Sequence, residues 1–194
     1  MEYEARRQRR LDRSGRNHRE RGYPALDRLH RQSLDQLVAR FGIKGLTEDD
    51  LAYMTLGWHR LRPWPDSVNG LTRLKRNFTI ATLSNGNVAL LNDMAKHAGL
   101  PWDLILSAEL FEHYKPDCEV YLGAARLLGL RPDQVMMVAA HNNDLRAAQD
   151  LGLKTAFVPR VTEYGPLQSK DFAPDGDWDV VAADFNDLAA RMGC

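Results

Sequence analysis

Cysteine is scarce in this chain of 194 residues, with Cys118 and the terminal Cys194 the only two. Two thiols so placed build neither a disulfide framework nor a metal knuckle, which excludes the small stapled folds. Net charge is lacking as well. Lys+Arg and Asp+Glu both number 26, which removes the electrostatic case for nucleic acid, an anionic membrane surface or an acidic partner. No apolar run approaches the roughly 18 residues that a bilayer-spanning helix needs. The charged N-terminal stretch has no apolar segment of the signal-peptide kind. The expectation is a soluble cytoplasmic protein. What is present fits one: a hydrophobic fraction of 44% and a length sufficient for one full core with a small second lobe. No internal repeat or low-complexity segment interrupts it.

The first third reads as helical. Residues 1–30 hold nine Arg, no Lys and five acids, too many acids for a transit peptide, so a solvated helix is expected there. Over residues 25–41, Leu26, Leu29, Leu34, Leu37, Val38 and Phe41 form a helical stripe closed by Gly42. Thr47-Glu48-Asp49-Asp50 resembles a capping box that opens a second helix through Leu51, Met54, Leu56 and Trp58. Arg62-Pro63-Trp64-Pro65-Asp66 is a stiff break, after which strands and helices alternate. Helices are expected at 67–76, 88–97, 118–128, 145–151 and 187–192. Strands are expected at 78–83, 104–107, 134–140, 155–158 and 180–183. Such alternation predicts an α/β fold with a parallel sheet and right-handed crossovers. Trp58, Trp64, Trp102 and Trp178 are expected in the core. His18, His30, His59, His97 and His113 lack metal-ligand spacing and are read as surface or satisfied core residues.

The stretch around which the rest is arranged is NFTIATLSNGNV, residues 77–88. A short apolar run, patterned for burial on both faces, stops at Ser84-Asn85-Gly86-Asn87, and a helix closed by Gly99 follows. Two further loops after strands carry polar groups: Tyr114-Lys115-Pro116-Asp117 and His141-Asn142-Asn143-Asp144. Singly, Lys115 reads as a surface loop residue, and His141 and Asp144 as helix caps. Together, at one sheet edge, a hydroxyl, an ammonium and a carboxylate make the layout of a small-anion site.

These residues also resemble a known group. Ser84 in TLSNGN, Lys115 in YKPD and Asp144 in VAAHNNDLRAA look like the second, third and fourth motifs of the haloacid dehalogenase superfamily. Tyr121, six residues after Lys115, has the spacing of the 2-haloacid dehalogenase branch, and PWPDSVNGLTRLK and AFVPR are also like that branch. The resemblance implies a Rossmann-like parallel core over 63–194 under an α-helical cap over 1–62. It implies a hydrolase that cleaves the carbon–halogen bond of a 2-haloalkanoate through an aspartyl ester, without metal or other cofactor. In this reading Lys115 stabilises charge and Ser84 binds the nucleophile or the substrate carboxylate. Asn85 contacts the halide, Tyr121 orients the carboxylate, Asp144 orients Lys115, and His141 lies on the substrate side. Partners would be a small 2-haloacid or other small carboxylate and, as in many relatives, a second copy in a homodimer. Ala139 and Ala140 stand where superfamily phosphatases place metal-binding carboxylates, and a methyl group ligates no hard cation. A metal-dependent phosphatase and a non-catalytic small-anion-binding protein are the alternatives.

The family's first motif, an apolar strand ending in Phe-Asp-x-x-Gly-Thr with the nucleophilic Asp, has no counterpart in this sequence. Asp12, in RRLDRSGR, has no apolar strand before it. By resemblance, the chain starts inside the first cap helix, and roughly 40 residues including that strand would precede it. The halide-gripping cap arginine would lie nearby, with Arg6 and Arg7 among the neighbours. In the family's fold that strand sits mid-sheet, between those expected at 78–83 and 134–140. The expectation is therefore a core lacking its first strand and a chain with little or no activity by itself.

Overall fold

The computed structural model describes residues 23–194. Asp12, His18 and the N-terminal arginines lie outside them. The described chain is α/β, with seven α-helices and five parallel strands. Helices α1 (Leu26–Phe41) and α2 (Glu48–Thr55) are followed by a 3-10 helix at Leu56–Arg60. Then come α3 (Ser67–Leu74), β1 (Ala81–Ser84), α4 (Val88–Ala98) and β2 (Leu104–Ser107). The remainder is α5 (Cys118–Leu127), β3 (Met136–Ala139), α6 (Asn142–Gln149), β4 (Lys154–Phe157), β5 (Val180–Val181) and α7 (Phe185–Arg191).

Local chemistry explains most boundaries. Gly42 and Gly99 end α1 and α4 in the left-handed region, at φ 61° and 67°, where a side chain would be strained. The capping box opening α2 is formed: the Asp50 N–H donates to Thr47 Oγ1 at 3.2 Å, and the Thr47 N–H to Asp50 Oδ2 at 2.8 Å. The strand expected at 78–83 instead starts at Ala81. Ile80 spends its N–H on the Asp103 carboxylate and its carbonyl on the Asp103 N–H, both at 2.9 Å, and Phe78 is exposed.

The sheet is in two pieces. In one, β1 pairs with β2, Ser84 opposite Ser107; in the other the order is β3-β4-β5. Among the described residues no ladder joins β1 to β3, and this is where the family resemblance expects a further strand. All four residues of β1 and of β3 are half-buried, whereas Thr155, Ala156 and Phe157 of β4 are fully buried. That corrects the expectation of a first strand covered on both faces.

Alternation along β3 places helices on both sides. Met136 and Val138 pack into the cluster of Leu71, Leu74, Leu188 and Ala189 from α3 and α7. Met137 turns the other way, toward Val120, Tyr121 and Ala148 of α5 and α6. Against this, α1 and α2 contain no fully buried residue. The expected core tryptophans divide: Trp178 is buried, Trp102 is half-buried, and Trp58 and Trp64 are exposed. Trp58 stacks on His30, and Trp64 lies under the Arg160 guanidinium. Asp66 and Arg160, from the two stretches that resemble the dehalogenase branch, form a buried two-point ion pair at 2.8 and 2.9 Å. Asp66 also accepts the Phe185 N–H at 2.8 Å, so the pair ties α3 to the start of α7.

At the same junction Gly70 leaves no room for a side chain: a Cβ there would lie 2.4 Å from Phe185 Cβ and 2.5 Å from its carbonyl carbon. Gly70→Ala is expected to destabilise the fold by about 1–3 kcal/mol in urea unfolding through overpacking. Gly57→Ala, with nothing within 4 Å, should be neutral or slightly stabilising in the same assay.

Candidate active site

Three strand-following loops converge at the carboxyl edge. Ser84 closes β1, and its Oγ accepts the Gly86 N–H at 3.1 Å, so the hydroxyl shapes the turn it begins. Asn85 clamps the loop carrying the lysine: its Oδ1 accepts the Lys115 N–H at 2.7 Å and its Nδ2 donates to the Lys115 carbonyl at 3.4 Å. Ser107, fully buried, donates to the Gly86 carbonyl at 2.6 Å, and Glu109 accepts the Val88 N–H at 2.8 Å. The amide of Asn85 thus holds main chain, a role that the resemblance did not bring forward.

Lys115 is the centre of the arrangement. Its Nζ donates to the Leu83 carbonyl at 3.0 Å and to Asp144 Oδ2 at 2.5 Å. The Tyr121 hydroxyl donates to the other oxygen, Asp144 Oδ1. The side chains of Lys115 and Asp144 are 13% and 15% exposed, so a charge pair sits in a largely dry setting. Burial pushes the Lys115 ammonium below the usual lysine range, with the Asp144 carboxylate opposing the shift. Burial first, and then the bond to Asp144, push the Tyr121 hydroxyl far above its ordinary range, so it remains a donor at any accessible pH. An ammonium has three N–H groups. Two are engaged among the described residues, which leaves one for a bound anion.

His141 stands at the same edge, at the N-terminal cap position of α6, with its carbonyl accepting the Asp144 N–H at 3.2 Å. Its imidazole is engaged elsewhere: Nε2 lies 2.9 Å from Glu163 Oε2 and 3.3 Å from the Tyr164 hydroxyl. Of the six residues expected at the site, the structure joins Asn85, Lys115, Tyr121 and Asp144 in one hydrogen-bonded network, with the Ser84 hydroxyl bonded within its own turn. It places the His141 ring in an adjoining one. Glu163 and Tyr164 were missed, because they sit in a loop after β4 with no periodicity or motif to mark them. Ala139 ends β3 and Ala140 follows it, so their positions offer no side-chain oxygen ligand. Among the described residues, no group of three or more His, Cys, Asp or Glu is disposed to hold a metal ion. Nor, among the same residues, is any helix long and apolar enough to cross a membrane.

A family model described as haloacid dehalogenase-like hydrolase matches residues 2–152. The chain belongs to that family. Among the family's curated members, the chain is 33% identical over 150 residues to (S)-2-haloacid dehalogenase 1 of Pseudomonas sp. strain CBS-3, covering 75% of this chain and 64% of that one. It spans between about half and two thirds of the length of the curated relatives it matches. Among solved structures, the L-2-haloacid dehalogenase PA0810 superposes with a TM-score of 0.86 at 56% identity, over 88% of this chain and 73% of that one. The defluorinating L-2-haloacid dehalogenase Rha0230 has the same TM-score at 43% identity, over 100% of this chain and 86% of that one. The haloacid dehalogenase-like fold is therefore common to this chain and to enzymes named for carbon–halogen cleavage.

The buried pair yields a test that does not depend on activity. Lys115→Met or Asp144→Ala alone is expected to cost about 3–5 kcal/mol in urea unfolding, because each leaves one charge buried without its partner. The double substitution Lys115→Met, Asp144→Ala should cost clearly less than the sum, which a double-mutant cycle reads directly.

Proposed function

We propose that this chain supplies the anion-binding and charge-stabilising part of a 2-haloacid dehalogenase site. The observation that carries the reading is the Lys115 ammonium, buried beside Asp144 at the carboxyl edge with one N–H free of described partners. A carboxylate held against Lys115 would be oriented to attack the halogen-bearing carbon of a 2-haloalkanoate. The new C–O bond forms as the C–halogen bond breaks, with inversion at that carbon, and halide leaves with the bonding pair. Water then adds to the ester carbonyl and the C–O bond to the enzyme acyl group breaks, giving the 2-hydroxy acid and the original carboxylate. Lys115 stabilises the oxyanion of that second step, and Ser84 faces the reacting groups. Asn85 holds Lys115 in place through its backbone, Asp144 and Tyr121 fix the direction of the ammonium, and His141 lines the approach. No step in this scheme needs a metal, in keeping with Ala139 and Ala140 at the positions where a phosphatase would carry ligands.

The nucleophile in this proposal comes from outside the described residues. It belongs to a strand that enters between β1 and β3, where the sheet is divided and both facing strands are half-buried. The helices over residues 26–60 act as the cap, a reading supported where the chain just before α1 rests on the site loops. Tyr23 stacks on Tyr114 at 4.6 Å and its hydroxyl lies 3.5 Å from the Asn85 carbonyl, while Tyr114 donates to the Pro24 carbonyl.

Halide release from 2-chloropropionate tests the proposal. The 194-residue chain alone is expected to be slower by about 10⁴ to 10⁶ than the same chain extended at its N-terminus by the strand-bearing segment of the PA0810 dehalogenase, the range set by loss of a covalent nucleophile. Comparable turnover by the unextended chain would place the nucleophile within it and overturn the assignment. Binding of 2-chloropropionate with no halide release from either protein would favour the small-anion-binding alternative.

A further inference from the structure

Away from Lys115, a further charged cluster is centred on His59, a residue of the 3-10 helix Leu56–Arg60 that is 7% exposed. Its Nδ1 lies 2.9 Å from Asp93 Oδ2 on α4. Its Nε2 lies 3.1 and 3.2 Å from the two carboxylate oxygens of Asp27 on α1. Both ring nitrogens therefore face acceptors. A neutral imidazole has a single N–H and satisfies one of them; the imidazolium satisfies both.

The cluster does not end at Asp27. Asp27 Oδ2 accepts Asn87 Nδ2 at 2.9 Å, and the Asp27 N–H returns a bond to Asn87 Oδ1 at 3.3 Å. Asn87 is 5% exposed and stands at the N-terminal cap position of α4, two residues beyond Asn85, whose side chain clamps Lys115. A continuous line of hydrogen bonds thus runs from His59 through Asp27 to the loop that forms the floor of the anion site. Two further titratable groups face the cluster. His30 on α1 has its Nδ1 4.0 Å from Asp27 Oδ1, and Lys96 on α4 acts on Asp93. Arg60, next to His59, turns away to the Tyr53 carbonyl.

We infer that His59 is a positioning residue. As an imidazolium it ties Asp27 to Asp93 and, through Asp27 and Asn87, holds the 84–87 loop in the arrangement that presents Lys115 to a small carboxylate. This rests on the proposed carboxylate site. When the proton leaves, one of the two bonds must be lost. Asp93, 56% exposed at its side chain, is readily taken over by water, whereas Asp27 at 25% is not. The tie between the 3-10 helix and α4 is then broken, and Asp27 is left with no cation bonded to it. Burial on its own lowers the basicity of His59, but the bonds to Asp93 and Asp27 outweigh it, and the ring ends above the usual histidine range. A histidine raised in this way stabilises the arrangement fully below its ordinary value of about 6.5 and loses that contribution as pH rises through the higher folded-state value. His30 is shifted the other way by burial, so it opposes the arrangement only at lower pH.

The test titrates the ring and the site together. Imidazole NMR signals are followed from about pH 5.5 to about 9, with and without saturating 2-chloropropionate, beside calorimetric affinities for that ligand. Affinity is expected to fall roughly 5-fold or more as His59 deprotonates, and linkage requires saturating ligand to raise the His59 midpoint by about 0.7 in pH. Asp93→Asn should move both midpoints down together, and His59→Gln should bind weakly with no such pH step. A His59 titration that leaves affinity unchanged, or an affinity step that stays in place in Asp93→Asn, overturns the inference. If the wild-type chain binds no carboxylate at any pH, the proposed site fails by itself. The positioning role is then judged from the amide signals of Asn85, Asn87 and Lys115, which must shift with His59 for it to stand and must stay fixed for it to fall.

Discussion

An ammonium ion that is only 13% exposed needs acceptors close at hand, and Lys115 takes them from both pieces of the sheet. The Leu83 carbonyl belongs to β1, and Asp144 follows β3. The described residues form no ladder between those strands, and this charge is a polar link across the division. Its geometry is restricted from every side. Asn85 fixes the lysine's own peptide groups, Tyr121 occupies the second oxygen of Asp144, and Asp144 is held at the first turn of α6. A buried ion pair is a poor source of net stability, since desolvation offsets most of its attraction.

Much of this was legible in the sequence, for reasons of chain geometry. Helix ends marked by glycine are local events: Gly42, Gly99, Gly129 and Gly152 all have positive φ and stand where the apolar period stops. The strand-following loops were legible because a short apolar run ending in small polar residues has few other interpretations. Lys115, Tyr121 and Asp144 emerged from spacing and family likeness, and the fold brings Lys115 and Tyr121 into hydrogen-bonding distance of Asp144. What stayed hidden depends on residues far apart in the chain. Asp66 and Arg160 are 94 positions apart, His59 and Asp93 34, His141 and Glu163 22. No period or cap signals such pairs before the fold brings them together. The tryptophans misled for a related reason. Trp58 and Trp64 have the composition of core residues, yet a stacked imidazole and a guanidinium cover one face of each and leave the rest in water.

The 84–87 loop receives constraints from opposite sides. From the core, Ser107 and Glu109 take up the Gly86 carbonyl and the Val88 N–H. From the helices at the N-terminal side, Asp27 engages Asn87 and Tyr23 approaches Asn85. Four consecutive residues thus satisfy partners from α1, the end of β2, the Lys115 loop and their own turn. A loop so heavily engaged moves only if several of those bonds change together. Displacing α1 therefore acts on the lysine site through the bonds of Asn87 and Asn85.

The division in the sheet has a thermodynamic consequence of its own. Backbone N–H and C=O groups on the facing edges of β1 and β3 cost about 1–3 kcal/mol each if buried without partners. The half-exposure of both strands lets water meet that demand, at the expense of apolar contact that Leu83, Met136 and Val138 would otherwise gain. A strand entering between them would exchange water for ladder bonds and cover those side chains in one step. If it also brings a carboxylate to Lys115, folding and assembly of the reactive centre become a single linked event, because whatever binds the folded form stabilises it by mass action. Stability and catalytic competence would then rise together on strand entry. An arrangement in which a pre-formed enzyme merely acquired a nucleophile would instead gain activity with no change in its resistance to unfolding.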